Sequence, residues 1–128
     1  FEFTDRGLEV VLSRSVPQLV RDRFAASVET VCERAGITVA DLDHYLLHAG
    51  GAKVLDAYFD VLPIDAAQLR WSREVLRTHG NMSAPTALFV LREALDAAAC
   101  GRGPVAGDLA LISAMGPGFA AEHVVLQW

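Results

Sequence analysis

The sequence predicts an α/β fold in which helices cover a mixed sheet, with an α+β arrangement as the alternative. The pattern along the chain is strand, helix, strand, several helices and two final strands, an order typical of such folds. Apolar residues make up 52% of the 128 residues, and the mean hydropathy is +0.30. Because a free-standing domain of this size exposes much of each element, we expect buried helices or a large surface for another partner.

The first part of the chain is predicted to form a strand and a long amphipathic helix. The strand runs from Leu8 to Leu12 and pairs with residues 1–4. The helix opens at Val16-Pro17, since proline suits the first helical turn, and ends at Gly36. Its apolar residues recur at three- and four-residue spacing, at Val20, Phe24, Val28, Val31, Cys32 and Ala35.

The remainder alternates short apolar strands with helices. The predicted strands are Tyr45–Leu47, Leu109–Met115 and His123–Gln127, and the predicted helices are Ala52–Leu62, Ser72–His79 and Ala84–Cys100. The last helix is apolar almost all round. A helix of that kind is typical of an interior position, so we predict a buried central helix.

Composition excludes several classes of function. The net charge is −5 and no basic stripe carries interleaved aromatics, so nucleic acid is not an expected partner. No apolar run approaches the roughly 20 residues of a membrane span. Cys32 and Cys100 do not suggest a disulfide framework, which favours a reducing cytoplasm. The start, Phe1–Phe3, has neither Met nor a leader, so we expect the chain to begin inside a longer protein.

His48 is the first candidate functional residue. It follows a buried strand directly, at a position where α/β folds place their sites. Gly50 and Gly51 would let the next helix approach a ligand closely, and its N-terminus, with Ala52 and Lys53, would face an anion. The alternative is a turn that needs glycines and a histidine that caps it; for His48 alone this alternative is favoured.

Asn81 is the second candidate and lies in the segment Gly80–Pro85. Its ordinary role would be to cap the helix that follows. Pro85 speaks against that role, because a cap at Asn81 would place the proline at the fourth helical position. With Ser83 as the cap, Pro85 costs nothing and Asn81 is available for other chemistry.

Taken together, these segments resemble the type III polyketide synthases of the chalcone synthase kind. The motifs occur in the order and at the spacing of that family: His48-Ala49-Gly50-Gly51, Ser72-Arg73-Glu74-Val75-Leu76, Gly80-Asn81-Met82-Ser83 and Gly116-Pro117-Gly118-Phe119. The resemblance runs from about Gly7 to the C-terminus. It implies that residues 1–128 form the C-terminal half of a thiolase-like fold.

The resemblance implies an acyltransferase that condenses an acyl-CoA starter with malonyl-CoA. His48 and Asn81 match the histidine and asparagine of the family's Cys-His-Asn triad. Neither Cys32 nor Cys100 matches the nucleophile, so we expect both to be structural and the chain alone to be inactive. The implied partners are the N-terminal half of the same enzyme, a second copy in a homodimer, and the two CoA thioesters as substrates, with no separate cofactor.

Further positions receive roles from the same resemblance. Val10 stands where many members place an aromatic gatekeeper, and Ser83 corresponds to a small cavity-lining residue, which together imply a wide passage for long starters. Cavity and cyclisation positions are Met115, Gly116, Pro117 and Gly118, and CoA-binding positions are Gly50, Gly51, Ala52 and Lys53. Ala49 and Ala114 replace residues that are commonly proline and glycine, which bears on the product more than on catalysis.

Two alternatives stay open at the level of sequence. A ketoacyl-synthase III enzyme shares the fold and also uses histidine and asparagine, but it usually has His-Gln-Ala-Asn where this chain has His48–Gly51. A non-catalytic thiolase-like partner subunit is the other alternative. Such a subunit has no need to keep both His48 and Asn81, so it is ranked lower.

Overall fold

The computed structural model of the chain describes residues 2–5, 7–9, 15–116 and 120–128. In these ranges a small antiparallel hairpin, β1 (Glu2–Thr4) and β2 (Gly7–Glu9), precedes the main body. The predicted pairing at the start of the chain is therefore confirmed as far as residue 9. Residues 10–12, the rest of the predicted strand, lie outside the described residues.

The long helix α1 spans Val16–Arg34 and has Pro17 in its first turn, as predicted. A left-handed residue ends it: Gly36 has φ 72°, and the amides of Gly36 and Ile37 donate to the carbonyls of Glu33 and Cys32. This is a Schellman motif, which satisfies the last helical carbonyls. Its buried residues are Val20, Phe24, Val28 and Cys32.

The main sheet has the order β3-β4-β5 and is mixed, as predicted. Strand β3 (His44–Leu47) runs parallel to β4 (Leu109–Gly116), and β4 pairs antiparallel with β5 (Ala120–Gln127). Strand β5 begins three residues before the predicted His123, because the antiparallel pairing continues as far as Gly116 and Ala120. The parallel pair is joined by three helices, since such a connection must cross over a sheet face.

The three connecting helices are α2 (Ala52–Val61), α3 (Arg70–His79) and α4 (Pro85–Ala99). Helices α1 and α2 share one hydrophobic cluster with Tyr45, Leu47 and Leu111. Helices α3 and α4 share another with Leu46 and Ala110. Successive strand residues face opposite sides of a sheet, so the two clusters lie on its two faces.

Helix α4 departs from the prediction of a buried central helix. Thr86, Ala87, Val90 and Ala94 are buried, but Leu88 is 66% exposed and Leu95 is 49% exposed. The helix therefore buries one side only against this chain. Its all-round apolar character leaves an uncovered outer face, which is defined here by Leu88 and Leu95.

Candidate active site

His48 lies where the chain leaves β3. Its amide donates to the carbonyl of Ser113 at 2.9 Å, which continues the pairing with β4. The side chain is 6% exposed, and its Nδ1 has no hydrogen-bond partner among the described residues. Burial lowers the pKa of His48 because the charged imidazolium would lose its hydration. A buried, unpaired ring nitrogen of this kind is suited to a partner from outside the chain.

The turn after His48 brings the Cα of Gly50 close to the imidazole. A Cβ added at Gly50 would lie 3.5 Å from both Cδ2 and Nε2 of the His48 ring, so the backbone of Gly50 closely approaches it. Gly51 has φ 156° and precedes the first residue of α2. The amides of Val54 and Leu55 donate to the Gly51 carbonyl, so the helix begins directly beside the histidine.

Asn81 reaches the same turn from the segment between α3 and α4. Its Nδ2 donates to the carbonyl of Gly50 at 3.0 Å, and its Oδ1 accepts the amide of Ser83 at 2.8 Å. The structure therefore brings His48 and Asn81 together around Gly50. The side chain of Asn81 is exposed, and its amide can still face a ligand on this side of the turn.

Asn81 does not cap helix α4. Helix α4 starts at Pro85 with Ala84 as its N-cap residue, so the proline lies in the first turn where its missing amide costs nothing. The cap is one residue later than Ser83, the position expected from the sequence. Ser83 instead adopts φ 63°, the left-handed region, and its amide is held by Asn81.

The remaining cavity positions are described in part. Met115 is half-buried in β4, and its sulfur lies 3.9 Å from the Tyr58 hydroxyl. Gly116 ends β4 and is exposed. Val10, Pro117 and Gly118 lie outside the described residues, so their predicted roles stay predictions.

The expected CoA-binding positions lie at the N-terminus of α2. Ala52 and Lys53 are exposed in its first turn. A shallow surface pocket of about 250 Å³ opens here between α1 and α2, and it is lined by Pro17, Gln18, Arg21, Lys53 and Asp56. Arg21 is already paired with Asp60 at 2.7 Å, and Asp56 adds a carboxylate to the lining, so the features that favour an anion here are Lys53 and the N-terminus of α2.

Two hydroxyl groups at this site were not predicted. Tyr58 of α2 donates to the His48 carbonyl at 3.2 Å, and Ser72 of α3 donates to the Leu47 carbonyl at 2.8 Å. Both residues are fully buried. In the sequence, only one feature could have marked them: each is a polar side chain on the apolar face of a short helix.

The other histidines lie outside this site. The Nε2 of His44 lies 2.8 Å from Asp108, and no cluster of potential metal ligands occurs among the described residues. His123 is half-buried: its ring packs edge-on against Phe24 of α1, and its Nε2 contacts Ser27 at 2.9 Å. The sequence alone gave no sign that α1 covers β5.

The two cysteines lie in different surroundings. Cys32 is buried in α1, and burial raises its pKa, which is the opposite of what a nucleophilic thiol needs. Cys100 is exposed at the C-cap of α4. Both are free thiols.

Within the described ranges, no helix has the length and apolar character needed to cross a membrane.

Comparisons with known protein sequences all point to one family. The model of the C-terminal domain of chalcone and stilbene synthases matches residues 1–128. A Bacillus subtilis protein named a putative chalcone synthase is 34% identical over 128 residues, covering 100% of this chain and 34% of that protein. The 1,3,6,8-tetrahydroxynaphthalene synthase of Streptomyces peucetius is 34% identical over 122 residues, covering 95% of this chain and 31% of that protein. The chain thus spans about a third of the length of these relatives.

Solved structures agree with the sequence matches. The 1,3,6,8-tetrahydroxynaphthalene synthase of Streptomyces coelicolor, a bacterial type III polyketide synthase, superimposes with a TM-score of 0.86 at 29% identity, covering 99% of this chain and 35% of that one. The polyketide synthase PKS-I of the brown alga Ectocarpus siliculosus gives 0.84 at 25% identity, covering 98% and 34%. The predicted thiolase-like fold is confirmed by these neighbours.

Proposed function

Since the chain belongs to the chalcone and stilbene synthase family, where it matches the C-terminal domain, we propose that it supplies the histidine and asparagine of a Cys-His-Asn triad. The observation that carries the proposal is the approach of both the His48 ring and the Asn81 amide to Gly50. The cysteine would come from the remaining part of the enzyme. The chain alone is then expected to have no condensing activity.

The first step assigned to His48 is activation of the thiol. An imidazolium next to a cysteine stabilises the thiolate and lowers the thiol's pKa. Burial alone lowers the pKa of His48, so a thiolate facing it is what would restore its charge. The thiolate attacks the carbonyl carbon of the starter thioester, and the CoA thiolate leaves.

The second step assigned to the pair is decarboxylation. Malonyl-CoA loses carbon dioxide, and the electrons of the broken bond form an enolate whose negative charge lies on the thioester oxygen. The His48 ring N–H and the Asn81 amide would donate to that oxygen as an oxyanion hole. The enolate carbon then attacks the enzyme-bound acyl thioester, so that a carbon–carbon bond forms and the cysteine thiolate is released.

Substrate binding is proposed for the start of α2. Gly50, Gly51, Ala52 and Lys53 would face the CoA portion of both substrates, and the exposed Lys53 in the first turn of α2 supports this assignment by its charge and its place at a helix N-terminus. No cofactor is proposed besides the CoA thioesters. We propose that the complete enzyme forms a homodimer. We also propose that it is located in the cytoplasm, in keeping with the two free thiols of this chain.

The proposal is tested in the complete enzyme that contains this chain. His48→Ala and Asn81→Ala should each slow malonyl-CoA decarboxylation by about 10²–10³-fold, the usual effect of losing one oxyanion donor. His48→Ala should also slow acyl loading of the cysteine, whereas Asn81→Ala should not. Both rates are measured separately. His79→Ala, which alters an exposed histidine in the last turn of α3, is the control and should leave both rates unchanged.

Small and equal effects of His48→Ala and Asn81→Ala would contradict the triad. They would favour the simpler interpretation that both residues only shape the turn. Condensation product from the purified 128-residue chain, incubated with malonyl-CoA and acyl-CoA starters, would contradict the proposal that the nucleophile lies elsewhere.

A further inference from the structure

The imidazole of His48 is held in place by its backbone and by packing. Its Nδ1 has no hydrogen-bond partner within the described residues, and the ring lies against the peptide of Gly50. An oxyanion donor must be aimed at the reacting oxygen, and a misplacement of about 1 Å can cost on the order of 10²-fold in rate. The groups that fix the backbone at residues 47 and 48 therefore decide where the ring points.

The carbonyl of Leu47 is fixed from α3. The amide of His48 donates to Ser113 of β4, and successive strand residues direct their backbone groups to opposite edges. The Leu47 carbonyl accordingly points away from β4. The Ser72 hydroxyl donates to it at 2.8 Å from a fully buried position.

The carbonyl of His48 is fixed from a second helix, α2. It accepts the Tyr58 hydroxyl at 3.2 Å and the Gly50 amide at 3.1 Å. The Tyr58 ring is fully buried and packs on Phe24 with ring centroids 4.7 Å apart, so the hydroxyl has little freedom to move. Burial also raises the pKa of Tyr58 well above its usual range, which keeps the hydroxyl protonated and able to donate.

We infer that Tyr58 and Ser72 are positioning residues for His48, whose hydroxyls hold its peptide carbonyl and that of Leu47 and thereby orient the imidazole. The inference rests on the proposed function, because an orientation matters only if the ring acts on the substrate. Hydroxyls from two different helices thus fix two successive peptide groups at one point. A turn that only had to connect β3 to α2 would not need both.

The complete enzyme again provides the test, with Tyr58→Phe as the first variant. This change removes the hydroxyl and keeps the ring. We expect kcat for malonyl-CoA decarboxylation to fall about tenfold while KM changes less than about twofold, because orientation is lost and binding is kept. Ser72→Ala should act in the same direction, and Ser72→Thr, which keeps a hydroxyl, should restore most of the rate.

Tyr45 supplies a matched control. It is also buried, at 1% exposure, and its hydroxyl donates to the Val39 carbonyl at 3.2 Å, the distance that Tyr58 shows. Tyr45→Phe should lower the thermal midpoint to a similar degree as Tyr58→Phe but leave kcat unchanged. Equal kcat values in the two variants would overturn the inference.

A double substitution separates positioning from general loss of structure. In a His48→Ala background the ring is gone, so adding Tyr58→Phe should cause no further loss of rate. A further tenfold loss would mean that Tyr58 acts by another route. If His48→Ala itself keeps the full rate, the proposed function fails, and the inference fails with it. If His48→Ala is slow but Tyr58→Phe and Ser72→Ala are not, only the inference fails.

Discussion

Ser83 adopts a backbone conformation that side chains rarely take. Its φ of 63° lies in the left-handed region, which costs roughly 1–2 kcal/mol for residues with a Cβ. The amide of Ser83 is held by Asn81, and its carbonyl accepts the amide of Thr86 at the start of α4. The conformation is thus fixed on both sides, and it keeps Asn81 turned towards Gly50.

A substitution series at Ser83 tests this. Ser83→Gly should change the free energy of unfolding by less than about 1 kcal/mol, because glycine adopts positive φ freely. Ser83→Ile should destabilise the protein by about 1–2 kcal/mol, because a branched Cβ is strained there. Urea unfolding measures both. If Ser83→Ile proves as stable as Ser83→Gly, the left-handed conformation is wrong.

Val10 bears on starter size. A valine where an aromatic gatekeeper is common implies a wide passage, so the complete enzyme should accept long acyl-CoA starters. Val10→Phe should reduce the use of long starters and leave acetyl-CoA priming nearly intact, since the effect is steric. Mass spectrometry of products across starters of increasing length, for wild type and variant, measures this. Refusal of every starter longer than a few carbons by the wild type would contradict the wide passage.

The sequence predicted individual residues better than their contacts. His48, Gly50 and Asn81 were identified from motif resemblance, and the structure brings them together. The hydrogen bond from Asn81 to Gly50 joins residues 31 apart, and no local pattern reports such a distance. Tyr58 and Ser72 were missed for the same reason, because a hydroxyl on an apolar helix face gives no indication of which backbone carbonyl it will meet.

At the scale of elements, helix ends marked by proline or glycine were predicted well. Pro17 and Gly36 bound α1, and Gly80 follows α3, as expected. Where such residues are absent the boundaries shifted: α3 begins at Arg70, two residues before the prediction, and Trp71 is buried in that added turn. Strand β5 was also too short in the prediction, because its first residues carry no alternation of apolar and polar side chains.

The prediction that helix α4 is buried rested on its apolar composition. We expect that composition to serve contacts with the rest of the protein as well as contacts within this chain. Leu88 and Leu95 are seven residues apart and so lie on one side of the helix. Exposed apolar surface of this kind is typical of an interface. In the complete enzyme, we expect the outer face of α4 to be covered by the remaining part of the protein.

Light scattering of the isolated 128-residue chain checks this expectation. The wild-type chain should self-associate, and Leu88→Lys with Leu95→Lys should make it largely monomeric by removing the apolar face. Val105→Lys is the control, since Val105 is 63% exposed but lies in the loop after α4. A monodisperse wild-type chain, or an equal effect of Val105→Lys, would contradict an interface on α4.

At the scale of the whole molecule, one buried and one half-buried histidine link stability to pH. Burial lowers the pKa of both His48 and His123, the latter slightly opposed by Glu122. A folded-state pKa below the unfolded value of about 6.5 means that the unfolded chain binds protons more readily. The stability that accompanies the neutral rings is therefore present above pH 6.5 and is lost as the pH falls through their folded-state pKa values.

Urea unfolding of the chain with Leu88→Lys and Leu95→Lys, at pH 7.5 and 5.5, tests the linkage. The free energy of unfolding should be lower at pH 5.5 than at pH 7.5. Asp108, whose carboxylate pKa is lowered by the Val105 amide and then by His44, contributes only at lower pH. His123→Gln should reduce the fall, and His79→Gln, at an exposed position, should not. Stability that is constant or rises on acidification would contradict the assignment.

The parallel pairing of β3 with β4 has a consequence for biosynthesis. The amide of His48 meets its partner, the Ser113 carbonyl, only after three helices and the start of β4 have followed it out of the ribosome. Contacts that span so much chain form late, because the intervening segment must first be ordered. The turn around His48 therefore completes its hydrogen bonds only after β4 has been synthesised. A nascent chain stalled before β4 would carry every residue of the candidate pair and yet lack the strand that aligns them.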